Sequence, residues 1–259
     1  MLDLEQIATY YPEQLRPFKK NILREYIQYK LLEAIYSSEF SRKMVFMGGT
    51  AVRILHENKR FSEDLDFDNQ GMDQKTFISM SKLALRALER EGLKAELKNV
   101  FKGAYHAYIG ISDILHAYGI SDHHEEKISI QLDMEAQNAK YQPDHPFINK
   151  FDVFLRINAV PVNTLLSQKI YAFLNRKRVK GRDIFDVTFL LGKTTPDYNY
   201  IDQKLGINNS KDLRTRLLNY CDKLDLKVLA RDVEPFLFEP KEKSRVSEFK
   251  DFIATAKLD

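Results

Sequence analysis

This sequence has very little cysteine, no long apolar run and no clear excess of charge of one sign. Cys221 is the only cysteine among 259 residues, so one chain cannot form an intrachain disulfide or a zinc site built from thiolates. Such sparing use of cysteine is typical of a protein of the reducing cytoplasm, and we expect a cytoplasmic location.

Membrane segments and a secretory signal are also lacking. Residues Met1 to Tyr11 include Asp3 and Glu5 but no basic stretch followed by an apolar run, so they do not resemble a signal peptide. The apolar runs elsewhere, such as Val187 to Leu191, are much shorter than the roughly 20 residues that cross a bilayer. The sequence therefore predicts no membrane partner.

The charge balance does not indicate a partner by itself. The chain has 40 basic and 37 acidic residues and a net charge of +3, which is too balanced to identify a nucleic-acid binder. With 44% hydrophobic residues it can bury a substantial core, in one large domain or two modest ones.

The first half of the chain alternates between helical and extended patterns. The apolar residues between Pro17 and Tyr36 recur with helical spacing, and so do those between Lys75 and Glu91. Met44 to Met47 is a short apolar run that predicts a strand, and Gly48 with Gly49 predicts a tight turn into a helix. Phe61 to Asp68 alternates strictly and predicts a second strand.

The second half has a different character. Leu93 to Glu135 contains several extended pieces, the last of which alternates and ends near Asp133. From about Pro161 onward the helical period returns and strand patterns nearly vanish. We therefore predict an α+β (α/β-like) domain over residues 1–160, followed by a mostly helical domain over residues 161–259.

Two aspartates on the second predicted strand indicate a metal site. Residues two apart on a strand point to the same side, so Ser62, Asp64 and Asp66 are expected to share one face. Two carboxylates held so close stay ionised only if a cation compensates them, and Mg²⁺ (or Mn²⁺) prefers such oxygen ligands.

The glycine turn is a potential phosphate site. Gly48 and Gly49 lie between a strand and a helix, where backbone N–H groups and the helix N-terminus favour anions, and Thr50 adds a hydroxyl. Most Gly-Gly turns only satisfy backbone geometry, so the two nearby aspartates decide in favour of phosphate binding.

Lys169 is expected to point inward, because apolar residues lie one turn before and after it on the same helical face. A buried ammonium needs either a carboxylate or a ligand phosphate. Asp183 and Asp186, three apart on the next predicted helix, are the carboxylates in question. Helix capping by Asp183 is a further alternative.

A basic run between these two helices could meet a polyanion. Phosphate attraction is the main source of non-specific affinity for nucleic acids, so contact with RNA is one interpretation and a solvated loop is the other. The run consists of Arg176, Lys177, Arg178, Lys180 and Arg182. By contrast, Tyr105, His106 and Tyr108 are predicted to be packing residues on an extended segment.

The motifs also resemble a known family. Phe46-Met47-Gly48-Gly49-Thr50-Ala51 and Phe61-Ser62-Glu63-Asp64-Leu65-Asp66-Phe67 are similar, almost residue for residue, to the signature of the AbiEii toxin nucleotidyltransferases of the DNA polymerase β-like superfamily. Gln168-Lys169 and Arg182-Asp183-Ile184-Phe185-Asp186 are similar to that family's helical motifs. The resemblance spans roughly Met44 to Leu191.

The resemblance implies a nucleotidyltransferase fold, with a mixed β-sheet flanked by helices and a helical domain that supplies Lys169 and Asp183 to the site. It implies a third metal carboxylate from a later strand, which Asp133 matches by position, with Glu135 as the fallback on the same face. The implied catalytic residues are Asp64, Asp66, Asp133, Lys169 and Asp183, of which the first three bind metal. The implied nucleotide-binding residues are Gly48, Gly49, Thr50, Ser62, Lys169 and Arg176.

The resemblance further implies an activity and partners. The expected reaction transfers NMP from an NTP to an acceptor hydroxyl, with a tRNA 3' end as the acceptor. The expected context is a toxin–antitoxin or phage-defence system with an antitoxin encoded nearby. Two alternatives stay open at this point, namely NMP transfer to a protein hydroxyl and a catalytically inactive nucleotide-binding module.

Overall fold

The computed structural model describes residues 1–259, and the chain divides into two compact units. Unit 1 comprises Met1–Leu55, Ser62–Gln137 and Pro143–Ala159. Unit 2 comprises His56–Phe61, Asn138–Gln142 and Val160–Asp259. Two short segments from the first 160 residues thus fold with the C-terminal helices.

A five-stranded mixed sheet forms the centre of unit 1. Its order is β1-β2-β5-β4-β3, and β2 pairs with β5 in parallel while the other neighbours are antiparallel. A separate hairpin of β6 and β7 follows in the chain. The strands are β1 (Met44–Met47), β2 (Leu65–Asn69), β3 (Lys94–Lys102), β4 (Ala104–Ser112), β5 (Ile128–Glu135), β6 (Phe147–Lys150) and β7 (Val153–Arg156).

Helices flank this sheet. Alternating residues of β5 are fully buried, and the long helices of unit 1 pack against the sheet and against each other. The helices of unit 1 are α1 (Leu4–Thr9), α2 (Lys19–Tyr36), α3 (Gly48–His56), α4 (Gln74–Arg90) and α5 (Ile114–Ala117). The predicted fold class, a mixed sheet flanked by helices, is confirmed.

Unit 2 is helical, as the return of the 3.6-residue period predicts. Its helices are α6 (Val162–Asn175), α7 (Gly181–Leu191), α8 (Tyr198–Leu205), α9 (Ser210–Cys221), α10 (Leu226–Val233), α11 (Ser244–Ser247) and α12 (Phe249–Thr255). Helix α7 packs against α6, α10 and α11, so it is the centre of this unit. No helix of the chain has the length and apolarity required to span a bilayer.

The second strand is shorter than its alternation predicts. It was expected over Phe61 to Asp68, but β2 begins at Leu65, and Ser62 and Asp64 precede it. The carbonyl of Ser62 accepts a hydrogen bond from the Gln28 side chain, and that of Asp64 accepts one from the Thr50 hydroxyl. These carbonyls accept hydrogen bonds from side chains rather than from a neighbouring strand, so the backbone pairing of β2 starts only at Leu65.

A buried carboxylate holds α2, α3 and the β6–β7 hairpin together. Glu25 is 2% exposed and accepts hydrogen bonds from Tyr11, from Arg53 at 2.8 Å and from Lys150 at 2.7 Å. Burial alone would raise the pKa of the Glu25 carboxyl, but the two cations outweigh burial and lower that pKa to about 2. The hairpin is therefore fixed to the helices by a desolvated ion cluster.

Candidate active site

Two of the predicted metal ligands lie side by side on the central sheet of unit 1. Asp66 on β2 is in register with Asp133 on the parallel strand β5. Residues directly opposite on neighbouring strands point to the same face, about 5 Å apart. Two partly buried carboxylates therefore converge on one face of the sheet.

The glycine turn lies directly against one of these carboxylates. Gly48 has a φ of +80°, and a Cβ added there would lie 2.0 Å from Oδ2 of Asp66. Gly48 is also the first residue of α3, where backbone N–H groups lack partners within the helix. Only glycine fits this position, and its lack of a side chain lets the Asp66 carboxylate lie next to the positive N-terminal end of α3.

Gly48→Ala is expected to disturb both stability and the position of Asp66. The substitution adds the cost of a left-handed backbone, about 1 to 2 kcal/mol, to a clash that displaces the carboxylate. Gly92→Ala is the matched control, because Gly92 has a φ of +85° but open space around its Cβ position. Denaturant unfolding and NMP-transfer rates would be measured for both variants. Equal losses in the two variants would show that the contact with Asp66 is unimportant.

The other predicted residues near the turn have structural contacts. Thr50 is fully buried and its hydroxyl donates to the Asp64 carbonyl, so in this structure it holds the segment before β2. Ser62 and Asp64 are partly buried and lie outside the strand, which corrects the expectation that they share a strand face with Asp66.

Asp133 has two neighbours that bind its carboxylate. His106 on β4 is in register with Asp133, and its Nδ1 lies 2.6 Å from Oδ1 of Asp133. Gln131 donates to the same oxygen at 2.6 Å. His106 is therefore a polar partner of Asp133, a contact that its prediction as a packing residue does not include. The pairing depends on the register of β4 against β5, which the sequence pattern of one strand does not reveal.

The donor chemistry of this face fits a hard divalent cation. Asp66 and Asp133 offer carboxylate oxygens in register, and Asp64 precedes Asp66 by two residues. The structure has no group of three or more His, Cys, Asp or Glu side chains arranged around one point. Joint binding of one ion by all three carboxylates therefore requires their side chains to reorient.

The other predicted residues form a buried charge network in unit 2. Asp186 on α7 is fully buried and accepts two hydrogen bonds from Arg60, both at 2.7 Å. Asn58 donates to it at 2.8 Å, and Lys169 on α6 forms an ion pair with it at 2.9 Å. Asp186 is therefore the central acceptor of the network.

Lys169 is directed inward, as its apolar neighbours predict. Its side chain is 13% exposed and lies 2.9 Å from Asp186 and 3.9 Å from Asp183. The carboxylate alternative is thus realised in this structure, while phosphate binding stays a prediction. Asp183 is in the first turn of α7 but is not its N-cap, which is Lys180.

Arg176, a predicted nucleotide-binding residue, lies just beyond the end of a helix. Helix α6 ends at Asn175, and the Arg176 side chain is 41% exposed. The chain turns there into the segment that leads to α7. Arg176 still pairs with Asp183 at 2.6 Å, so it belongs to the same network.

Arg60 and Asn58 are functional candidates that the sequence analysis missed. Arg60 is 1% exposed, and its guanidinium binds a residue 126 positions later in the chain. The only sequence signal is its place immediately before the Phe61-Ser62-x-Asp64 motif. A buried arginine cannot be distinguished from a surface arginine without knowing which carboxylate it meets.

Asp186 makes the stability of the protein sensitive to acid. Burial alone would raise its pKa, but the charges and hydrogen bonds of Arg60 and Lys169 outweigh burial and lower the pKa from 3.8 to about 2. Above pH 4 the ionised carboxylate thus contributes about 2 kcal/mol to the free energy of unfolding, and this contribution is lost as the pH falls toward 2. The free energy of unfolding of wild type and of Asp186→Asn is measured by denaturant titration between pH 2 and 6. If both free energies changed by the same amount between pH 4 and 2, the contribution of Asp186 would be contradicted.

The fold of this chain is shared with solved structures. The structure is similar to a crystal structure of JHP933 from Helicobacter pylori, with a TM-score of 0.56 and 16% identity over 90% of this chain and 91% of that chain. It is also similar to a candidate nucleotidyltransferase from H. pylori, with a TM-score of 0.53 and 16% identity over 90% and 94% of the two chains. These likenesses place the chain in the nucleotidyltransferase fold.

The family follows from the sequence itself. The model of the nucleotidyl transferase AbiEii toxin family, type IV toxin–antitoxin system, matches residues 30–255. The chain therefore belongs to the AbiEii family, which confirms the resemblance in its motifs. No match is found among the curated proteins.

Proposed function

We propose that this protein transfers NMP from an NTP to an acceptor hydroxyl, with the 3' end of a tRNA as acceptor. The observation that supports it most is the placement of Asp66, in register with Asp133 and directly against Gly48 at the start of α3. Carboxylates that hold a divalent ion beside a phosphate-binding helix N-terminus are the parts that phosphoryl chemistry needs.

The residues of unit 1 have distinct roles in this proposal. Backbone N–H groups of Gly48 and Gly49 bind the triphosphate, and Thr50 and Ser62 support that segment. Asp64, Asp66 and Asp133 would hold Mg²⁺ or Mn²⁺ once their side chains reorient, and the ion would neutralise phosphate charge and align the reacting groups. Because His106 and Gln131 bind Oδ1 of Asp133, its other oxygen is the one that faces a ligand.

The reaction is an in-line substitution at the α-phosphorus. The acceptor oxygen forms a bond to that phosphorus while the bond to the β-phosphate oxygen breaks, and pyrophosphate leaves. If Asp64 and Asp66 alone hold a single ion, Asp133 accepts the proton of the acceptor hydroxyl directly; a second ion that includes Asp133 among its ligands would instead lower the pKa of that hydroxyl. The products are the NMP-modified acceptor, pyrophosphate and a proton.

The charge network of unit 2 supports a role for Lys169 and Arg176 in binding phosphate. Arg60, Lys169 and Arg176 carry three positive charges, while Asp183 and Asp186 carry two negative charges, which leaves a net charge of +1. In this proposal Asp183 is a residue of the site, and Asp186 orients Lys169 from 2.9 Å. The network therefore keeps a positive charge available for a ligand phosphate.

RNA and a cognate antitoxin are the proposed partners. The basic run begins at Arg176, directly after α6, and ends at Arg182 in the first turn of α7; it supports contact with a polyanionic acceptor. Membership of a toxin family supports a role in a toxin–antitoxin or phage-defence system with an antitoxin encoded nearby.

A labelling experiment tests the proposal. The purified protein is incubated with each α-labelled NTP, Mg²⁺ or Mn²⁺, and either total tRNA or the protein encoded next to it. Label at the 3' end of tRNA supports the proposal. Label in protein identifies a protein hydroxyl as the acceptor, and nucleotide binding without any labelled product identifies an inactive binding module.

A further inference from the structure

Two stacked phenylalanines stand out on the surface of the β6–β7 hairpin. Phe147 is 59% exposed and Phe154 is 67% exposed, which makes them the most exposed large apolar side chains of the chain. Their ring centroids are 5.3 Å apart and the rings are nearly parallel, at 9°. Burying one such side chain is worth about 1.5 to 3 kcal/mol. The exposure of these two side chains to water therefore does not stabilise the fold of this chain.

The hairpin does not need these rings to keep its place. Its opposite face is buried through Ile148, Val153 and Leu155. Lys150 at the end of β6 pairs with the buried Glu25, so the hairpin is anchored at its turn as well. The phenylalanines are thus held on a rigid support while more than half of each side chain stays exposed.

Positive charge lies beside the rings. The Arg156 guanidinium is 5.5 Å from the centroid of Phe147, and its Nε donates to the carbonyl of His145 at 3.0 Å. Arg156 is exposed and pairs with no carboxylate. The outward residues of the two strands are Phe147, Asn149, Phe154 and Arg156, and none of them is acidic.

Two further cations lie near the end of the hairpin. Asn158 donates to the carbonyl of Ser41 at 3.0 Å and contacts His145 at 2.9 Å. Arg42 and Lys43 follow Ser41 directly and are exposed. The acidic residues of these segments, such as Glu39 and Asp144, partly offset this charge. We therefore expect stacking to contribute more than electrostatic attraction.

We infer that the outward face of the β6–β7 hairpin binds unpaired bases of RNA. Exposed aromatic rings next to arginine on a β surface stack on nucleobases, and every base offers a π-face. The exposed area of the two rings is on the order of 250 Å². That area suits one or two bases but is well below the roughly 800 Å² that each partner buries in a stable protein complex.

This inference rests on the proposed function, because the RNA acceptor is the ligand that brings unpaired bases to the protein. The hairpin face lies outside the set of residues that carry the transfer chemistry. It would hold an unpaired part of the acceptor and so contribute to the choice of RNA without taking part in bond formation.

Three double variants separate stacking from simple apolar contact. Phe147→Ala with Phe154→Ala removes the rings, Phe147→Leu with Phe154→Leu keeps apolar volume, and Phe147→Tyr with Phe154→Tyr keeps the rings. The probe is a fluorescent single-stranded RNA of 12 nucleotides, without NTP, with the matching RNA duplex as a second probe. Thermal unfolding checks that each variant is folded.

Stacking predicts a specific pattern. The Ala and Leu variants are expected to bind the single strand about 10- to 100-fold more weakly than wild type does. The Tyr variant is expected to bind it with an affinity within about twofold of wild type. All variants are expected to bind the duplex with equal affinity. Unchanged affinity of the Ala and Leu variants for the single strand would overturn the inference. So would a Leu variant that binds like wild type, because this face would then be an apolar docking site.

The outcome is separable from that of the proposed function. Hairpin-dependent RNA binding by a protein that never labels RNA would support the inference and reject tRNA as acceptor. Labelling of tRNA with equal efficiency and equal affinity by wild type and the Ala variant would support the proposed function and overturn the inference.

Discussion

Asp66→Asn is expected to reduce NMP transfer by a factor on the order of 10³ or more while leaving the fold intact. The amide has nearly the same shape as the carboxylate but no charge, so it binds a divalent cation poorly and does not offset the ion's charge. Asp66 is partly exposed on β2 and lies against Gly48, so the isosteric amide fits the same space. Transfer of label from an α-labelled NTP at saturating Mn²⁺ is the measurement, with thermal unfolding as the test of folding.

A pair of variants on β5 provides the comparison. Asp133→Asn is expected to behave like Asp66→Asn, because Asp133 is in register with Asp66. Glu135→Gln is expected to keep transfer within a few-fold of wild type, because Glu135 is exposed and lies opposite Asp68 in the register. Retained transfer in Asp66→Asn would refute the proposed site, and loss in Glu135→Gln alone would move the third carboxylate to position 135.

Arg60→Met is expected to destabilise the protein by about 3 to 5 kcal/mol, because it breaks a fully buried ion pair from one side. Arg60 is 1% exposed and Asp186 is 0% exposed, so water cannot replace the two lost hydrogen bonds of 2.7 Å. Asp186 keeps Lys169 and Asn58 as partners, which limits the loss. The free energy of unfolding from denaturant titration is the measurement.

Two controls define what the Arg60 result means. Arg60→Lys keeps the charge but not the bidentate geometry of the guanidinium, so it should lower the free energy of unfolding less than Arg60→Met does. Arg42→Met removes an exposed arginine and should change the free energy of unfolding by less than about 0.5 kcal/mol. A loss below about 1 kcal/mol for Arg60→Met would show that Asp186 does not depend on Arg60.

The elements with regular patterns could be predicted from the sequence. The alternation that ends at Asp133 gave β5, and the apolar run before Gly48 gave β1 followed by α3. These predictions succeed because side-chain period depends on local backbone geometry. The start of β2 could not be predicted, since it depends on where the carbonyls of Ser62 and Asp64 find donors.

The candidate site could be predicted only in part for a similar reason. Asp66, Asp133 and Lys169 lie in recognisable patterns, and the structure places the first two in register. His106 and Arg60 escaped prediction because each meets its carboxylate across a long separation, 27 residues for His106 and 126 for Arg60. Such pairs follow from strand register and helix packing, which no local pattern contains.

The return of His56–Phe61 to unit 2 constrains how this protein can be recombined. Arg60 is encoded early in the gene, but its carboxylate partner Asp186 is encoded late. In a chimera that joins the first 160 residues to the C-terminal half of a distant homologue, the residue at position 60 must therefore be able to pair with the homologue's residue at the position of Asp186. We expect functional exchanges between relatives to transfer that short stretch together with the helical half.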